Sequence, residues 1–234
     1  MYCSIIFGLL ALGVSTPTHA AGFISSVLFL VPGFPLVAAV TDLAQGDFTV
    51  GVTRFAYGSV LTLAGGFGVS MVSSTFGLSA APFPPWPLGE PAALLLRAVA
   101  TTIGACGFAL LYDSPWRTVL TVGALALLGN DLRLGLHDAG MGLPVATFLG
   151  ALAVGLLASL RPVRAHGPRI ALTVRGIILM VPGTPLYTAL IGFGQGDIVD
   201  ALAPLVTAAF ILGAMTVRLL TARLLTDRAW LYDR

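Results

Sequence analysis

The chain has no lysine. All twelve of its basic residues are arginine. A Walker-type phosphate loop needs a lysine behind its glycines, so none is present, and transport driven by ATP hydrolysis in this chain is not expected. Charge of either sign is scarce, at 9% of 234 residues, against roughly 25% in a soluble domain. Such a chain cannot cover a water-facing surface. Its 57% hydrophobic content and mean hydropathy of +0.96 mark a membrane protein. A net charge of +2 offers no field for a nucleic-acid partner. Two cysteines, Cys3 and Cys106, sit in apolar runs and make neither a disulfide framework nor a metal site. His19, His137 and His166 are scattered without ligand spacing, so no metal and no cofactor is expected.

What the chain does have is a repeat, the feature to read before any other. Val31-Pro32-Gly33-Phe34-Pro35-Leu36, running on to Gln45-Gly46-Asp47, returns as Val181-Pro182-Gly183-Thr184-Pro185-Leu186, running on to Gln195-Gly196-Asp197. The two copies stand 150 positions apart with no gap. Chance similarity between apolar segments favours Leu, Ala and Val; it does not place Pro, Gly, Pro, Gln, Gly and Asp in one register.

Spans of about 20 apolar residues divide the chain into an all-α polytopic bundle of about eight transmembrane helices. They fall near 1–16, 22–43, 48–75, 91–111, 115–130, 141–160, 170–192 and 198–222. The first lacks a positive n-region, so a retained span is preferred to a cleaved signal. The proline-rich stretch 81–87 cannot be helical and suits a headgroup-level loop. It separates a shortened first repeat, residues 1–77 with about three spans, from a second, 78–234 with about five. Either the chain is an incomplete fragment, or the missing part of the first repeat comes from another subunit or another copy. The arginines of loop 161–169 and of the tail, counted from Arg218 onward, place both termini in the cytoplasm. Counting from the span of Pro32, the span of Pro182 is the fifth one on, an odd step, which makes the repeats inverted, a recurrent secondary-transporter plan.

Chemistry gathers at the repeats. Proline removes a helix hydrogen bond at ~3 kcal/mol in a helix interior, so each motif predicts a helix broken near its middle. Backbone freed at membrane depth survives where it is packed in protein or lines a watery cavity. Pro32, Gly33, Pro35, Pro182, Gly183 and Pro185 therefore either bind substrate or form packing kinks. Thr184 and Tyr187 add hydroxyls to the second copy, where the first has Phe34 and Val37. Asp42 is either a protonatable coupling group or an interfacial cap; Gly192 stands at its place in the second copy. Asp47 and Asp197 read as helix N-caps. Arg54 shares a face with Asp47 and either pairs with it, pairs with Asp42, or snorkels. Gly51 and Gly58 share a face open to a close neighbour. Arg97 is expected to pair with Glu90. Asn130, Asp131, His137 and Asp138 read as a solvated outer turn in preference to a metal or hydrolytic site.

Several of these motifs resemble one family. Residues 29–36 (Phe-Leu-Val-Pro-Gly-Phe-Pro-Leu), Asp42-Leu43, Gly46-Asp47 and Gly51-Val52-Thr53-Arg54 are similar to the N-terminal membrane repeat of the threonine/serine exporters. Leu143-Pro144, Pro168-Arg169, residues 176–187 and Gly196-Asp197 resemble its C-terminal repeat. The resemblance implies an inner-membrane secondary exporter of small hydroxy amino acids driven by the proton gradient. It implies functional roles for Pro32, Gly33, Pro35, Asp42, Asp47, Arg54, Pro182, Gly183 and Tyr187. Within this resemblance Asp42, Asp47 and Arg54 would couple the ion, and the partner would be the substrate, the bilayer, and either a homo-oligomer or a second exporter subunit. A partial subunit and, further off, an intramembrane enzyme remain as alternatives.

Overall fold

The computed structural model describes residues 33–76, 89–165 and 169–226, and among these every regular element is helical. In order they are α1 (Gly33–Gln45), α2 (Phe48–Phe76), α3 (Glu90–Leu111), α4 (Trp116–Asp138), α5 (Leu143–Leu157), a single turn α6 (Arg161–Arg164), α7 (Arg169–Ile177), a 3-10 turn (Ile178–Met180), α8 (Gly183–Gln195) and α9 (Ile198–Thr226). Three helices among them, α3, α4 and the stretch Ile198–Arg218 of α9, are long and apolar enough to cross a membrane. The count is four if the broken pair Leu172–Met180 and Gly183–Gln195 is one span. Phe48, Phe67, Leu95, Ile103, Trp116, Leu120 and Phe210 present more than half of their surface outward. That is costly in water and natural in lipid. The expected span at 1–16, Pro32, the proline-rich loop at 81–87, and the tail arginines Arg228 and Arg234 lie outside the described residues.

Proline and glycine set the helix boundaries. Pro91 and Pro144 stand in the first turns of α3 and α5, where a missing N–H costs nothing because the helix has no partner for it. Gly46 (φ 90°) and Gly196 (φ 86°) end α1 and α8 in the left-handed conformation that other residues enter at a cost.

These two ends are the same structure twice. Gly46 N–H donates to the Leu43 carbonyl and Asp47 N–H to the Asp42 carbonyl; Gly196 N–H donates to Phe193 and Asp197 N–H to Gly192. Gly51 N–H then closes on Asp47, as Ala201 N–H does on Asp197. In both copies a 13-residue helix turns through Gly-Asp into a 29-residue helix.

The described residues form two compact units, with the chain passing between them at Val181–Pro182 and again within α9. One unit holds α1, α2, α8 and α9 as far as Ala209. Here α2 is the spine. A Cβ on Gly58 would strike the Leu36 side chain, and one on Gly51 would strike Leu43, so α1 runs back along the first half of α2. The close-approach face expected of Gly51 and Gly58 is thus present. A Cβ on Gly66 would clash with Leu190, and one on Gly194 with Ser70, so α8 runs alongside the second half of α2 in the same direction as α2.

The other unit holds α3 to α7, the 3-10 turn and α9 from Phe210. Its core is thin and made of small residues: Ala105, Ala109, Val122, Ala126, Ala151 and Val154 are all but fully buried. Helices α4 and α5 cross at Gly129 and Gly150, where a Cβ on Gly150 would stand 2.5 Å from the Gly129 carbonyl oxygen. Small residues let membrane helices meet backbone to backbone, which replaces the hydrophobic drive that lipid does not supply. Arg175 on α7 stands 5.8 Å over the Tyr112 ring beyond the end of α3, a cation–π contact that ties the short α7 down.

Candidate functional site

The second Pro-Gly motif is a break in the chain's helical course. Val181 (φ −56°, ψ 136°) is extended, Pro182 (φ −75°, ψ 55°) is the N-cap of α8, and the 3-10 turn ends just before them. The two prolines differ in role. Pro182 stands at the break, whereas Pro185 stands in the first turn of α8, where proline is tolerated. Pro35 holds the matching place in α1. The first helical bond of α8 runs from Leu186 N–H to the Pro182 carbonyl, 3.1 Å. The N–H groups of Gly183 and Thr184 precede it and have no partner within the helix. They point along a dipole whose positive end favours an anion. Pro182, Gly183 and Tyr187 are buried, Pro185 half-buried and Thr184 exposed; in the first copy Gly33 is buried and Pro35 half-buried.

The charged residues of the first copy sort themselves plainly. Arg54 Nη1 on α2 donates to Asp42 Oδ2 on α1 at 2.6 Å. Asp47 is exposed at the turn and makes no ion pair among the described residues. It occupies the N-cap place of α2, and its carbonyl accepts from Gly51. Of the three proposed coupling residues, two are thus brought together and the third stands apart.

Three expectations are corrected. Residues 131–138 are not a turn but the last two turns of α4. His137 Nδ1 lies 3.0 Å from the carbonyl of Met141, in the loop just past that helix end. Arg97 pairs not with Glu90 but with Asp138, Nη1 to Oδ2 at 2.7 Å. Glu90 opens α3 two turns before Arg97, while α4 brings Asp138 alongside. Among the described residues no group of three or more His, Cys, Asp or Glu could hold a metal. The third correction concerns Arg218, which is no tail residue. It is wholly buried on α9 and donates to the Ala151 carbonyl of α5 at 2.8 Å. A guanidinium inside a span costs ~3 kcal/mol on insertion scales and survives by facing protein acceptors.

Sequence reasoning passed over one side chain. Arg133 on α4 turns back toward the helix interior, with Nη1 3.4 Å from Asn130 Oδ1. Asn130 is 8% exposed and donates from Nδ2 to Thr101 Oγ1 on α3 at 3.0 Å. The Arg133 Nε is buried with no hydrogen-bond partner. The expected span ends at residue 130 and so leaves Arg133 beyond it; the signal passed over is an arginine set among Leu132, Leu134 and Leu136 with no acidic residue three or four places away.

With this geometry in view, comparison with known proteins decides the family. Residues 97–225, more than half of the chain, match the family model described as "Threonine/Serine exporter, ThrE", and residues 1–76 match one described as "Putative threonine/serine exporter". The chain belongs to the threonine/serine exporter family. Among curated relatives, the "Probable threonine/serine exporter" of Mycobacterium tuberculosis is 29% identical over 75% of this chain and 35% of its own length. The "Probable succinate transporter subunit YjjP" of Klebsiella aerogenes is 49% identical over 27% of this chain and 24% of its own. The protein of the same name in Escherichia coli K12 is 48% identical over the same shares. The chain thus spans about a third or less of the length of these relatives. No solved structure matches. The family is described as one of exporters, and the three to four candidate spans among the described residues fit a multi-pass membrane protein.

Proposed function

We propose that this chain is an inner-membrane secondary exporter of threonine and serine, coupled to proton entry, with the two Pro-Gly helix starts as its substrate cradle. One observation carries the reading. The start of α1 lies against the middle of α2, since Leu36 meets Gly58. Stepping one turn back from the Leu190–Gly66 contact brings Leu186 to the level of Thr62, also mid-helix, by the helical rise. Helix α2 is about 43 Å long at 1.5 Å per residue, so both starts converge near its centre. They arrive from opposite directions, α1 antiparallel to α2 and α8 parallel to it. Opposed broken helices meeting at mid-depth are what inverted repeats place around a substrate.

In this reading the repeats are 1–77 and 78–234, about eight spans, with both termini cytoplasmic. Residues Pro32, Gly33, Pro35, Pro182, Gly183, Thr184, Pro185 and Tyr187 surround the substrate. The N–H groups at the helix starts take its carboxylate, and freed carbonyls take its ammonium. Asp42 takes up and releases the proton. Protonation removes its charge and frees Arg54, so the Asp42–Arg54 ion pair breaks and re-forms with each cycle while α1 stays packed on α2; Asp47 lies in the turn that follows α1.

A second reading rests on the relatives named as transporter subunits: the chain is one component of a two-part transporter, in which case succinate joins the candidate substrates. Threonine, serine and succinate share one group, a carboxylate.

The test is efflux from cells lacking their own exporters. Cells preloaded with a threonine dipeptide and expressing this chain should release threonine faster, and a protonophore should abolish the gain. No release, with the protein shown to be in the membrane, overturns the self-sufficient exporter. Release restored only by a co-expressed second subunit supports the two-part transporter.

A further inference from the structure

We propose that Arg133, backed by Asn130 and Thr101, binds the carboxylate of a small organic solute within the unit formed by α3, α4 and α5.

Arg133 lies five residues from the end of α4, about 7–8 Å along the helix. An arginine this close to an interface ordinarily stretches its head outward to water. This one does the reverse. Its Nη1 points to Asn130, one turn deeper, and its Nε is buried. The partners it meets there are neutral. Asn130 is committed on both sides, its Oδ1 to Arg133 and its Nδ2 to Thr101, so the amide holds the guanidinium in place without cancelling its charge.

The neighbouring acids do not cancel it either. Asp138 is held by Arg97. Asp131 stands two places before Arg133 on the same helix, and side chains two apart do not face each other; its own Oδ1 is buried without a partner. No carboxylate lies within ion-pair distance of Arg133 among the described residues. With Nη1 engaged, the Nε and Nη2 edge is left. Two parallel N–H donors of this kind grip a carboxylate in a forked pair. A positive charge held inward in a membrane protein, with one fork unused, is built for an anionic group that comes and goes.

The site rests on the reading above that the chain handles a small carboxylate solute, and it is a second carboxylate site in addition to the Pro-Gly helix starts, so the Arg133 variants should lose one binding event and keep the other. Binding and transport separate the site from that reading. The full chain in lipid nanodiscs is titrated with L-threonine, with succinate, and with threoninamide, which keeps every group of threonine except the carboxylate. Threonine or succinate should bind and threoninamide should not, and whichever acid binds names the source of the carboxylate. Arg133→Gln should weaken the binding event at this site about ten- to a hundredfold, the range of a charged hydrogen bond. Arg133→Lys, which keeps the charge but loses the fork, should weaken it about tenfold. Should the variants fail to fold, phenylglyoxal labelling of the unaltered chain gives the answer. The acid that binds should protect Arg133 from modification in peptide maps, and threoninamide should not.

Unchanged binding in Arg133→Gln, or no protection of Arg133, overturns the site while leaving the exporter reading intact. Arg133-dependent binding in a chain that exports nothing upholds the site and overturns the self-sufficient exporter.

Discussion

Arg54 Nη1 stands 2.6 Å from Asp42 Oδ2, joining the last turn of α1 to the second turn of α2. In the second copy both partners are absent at once: Gly192 takes the place of Asp42, and Pro204, inside α9, takes that of Arg54. The duplicated hairpin therefore holds without the pair, and the pair is not what makes it fold. With Arg54 half exposed, it adds only ~0.2–1 kcal/mol to stability. Exchanging the charges, Asp42→Arg with Arg54→Asp, should keep the melting temperature close to the original. Asp42→Asn should do the same yet remove the protonophore sensitivity of threonine efflux. Efflux by Asp42→Asn at the original rate and pH dependence would sink the coupling role.

The left-handed turns at Gly46 and Gly196 are equivalent. A Cβ in that conformation costs ~1–2 kcal/mol. Nothing stands near either position, so the cost is backbone alone. Gly46→Ala and Gly196→Ala should each lower thermal stability by about that amount, with asparagine costing less than alanine at both. Unequal alanine penalties, measured by melting in detergent, would mean that the copies do not share their turn.

Each hairpin needs one small residue where its helices close, and the copies meet the need on opposite sides. In the first it is Gly51, whose added Cβ would stand 2.9 Å from the Leu43 backbone nitrogen. In the second it is Gly192, whose added Cβ would stand 2.9 Å from that of Ala201. Gly51→Val and Gly192→Val should each cost ~1–3 kcal/mol through overpacking. Ala201→Gly should recover part of the second loss and none of the first, read by melting of the double variants.

Pro182 stands at the break rather than inside a helix, at a φ of −75° that proline takes without strain, so its removal costs no helix hydrogen bond. Pro182→Ala should leave stability unchanged or raised, since the alanine can join a continuous helix that proline denies by ~3 kcal/mol. Threonine efflux should nevertheless fall, because a continuous helix hides the Gly183 and Thr184 N–H groups. A variant that melts earlier yet still transports would assign the break to packing alone.

Gly150 faces the Gly129 carbonyl at the α4–α5 crossing. Backbone cannot yield there as a side chain can. Gly150→Val should therefore destabilise by ~3 kcal/mol or more, and recovery of the folded protein from the membrane should fall with it. A folded, fully stable Gly150→Val would mean that the two helices stand farther apart than the structure has them.

Composition alone determined that this chain lives in a membrane, because too few polar residues exist to face water. The repeat alone determined that a helix, a Gly-Asp turn and a longer helix occur twice, because prolines, a left-handed glycine and an N-cap act through the backbone beside them. The pairing of charges was decided only by the tertiary structure. Arg97 chose Asp138 over Glu90, Arg218 turned inward to Ala151, and Arg133 bent back to Asn130. In a soluble helix the apolar face points to the core, and the sequence reveals which side is buried. In a bilayer the lipid face and the packed face are both apolar. The rotation of each helix, and with it the partner of each rare charge, is then set by where glycines let backbones meet.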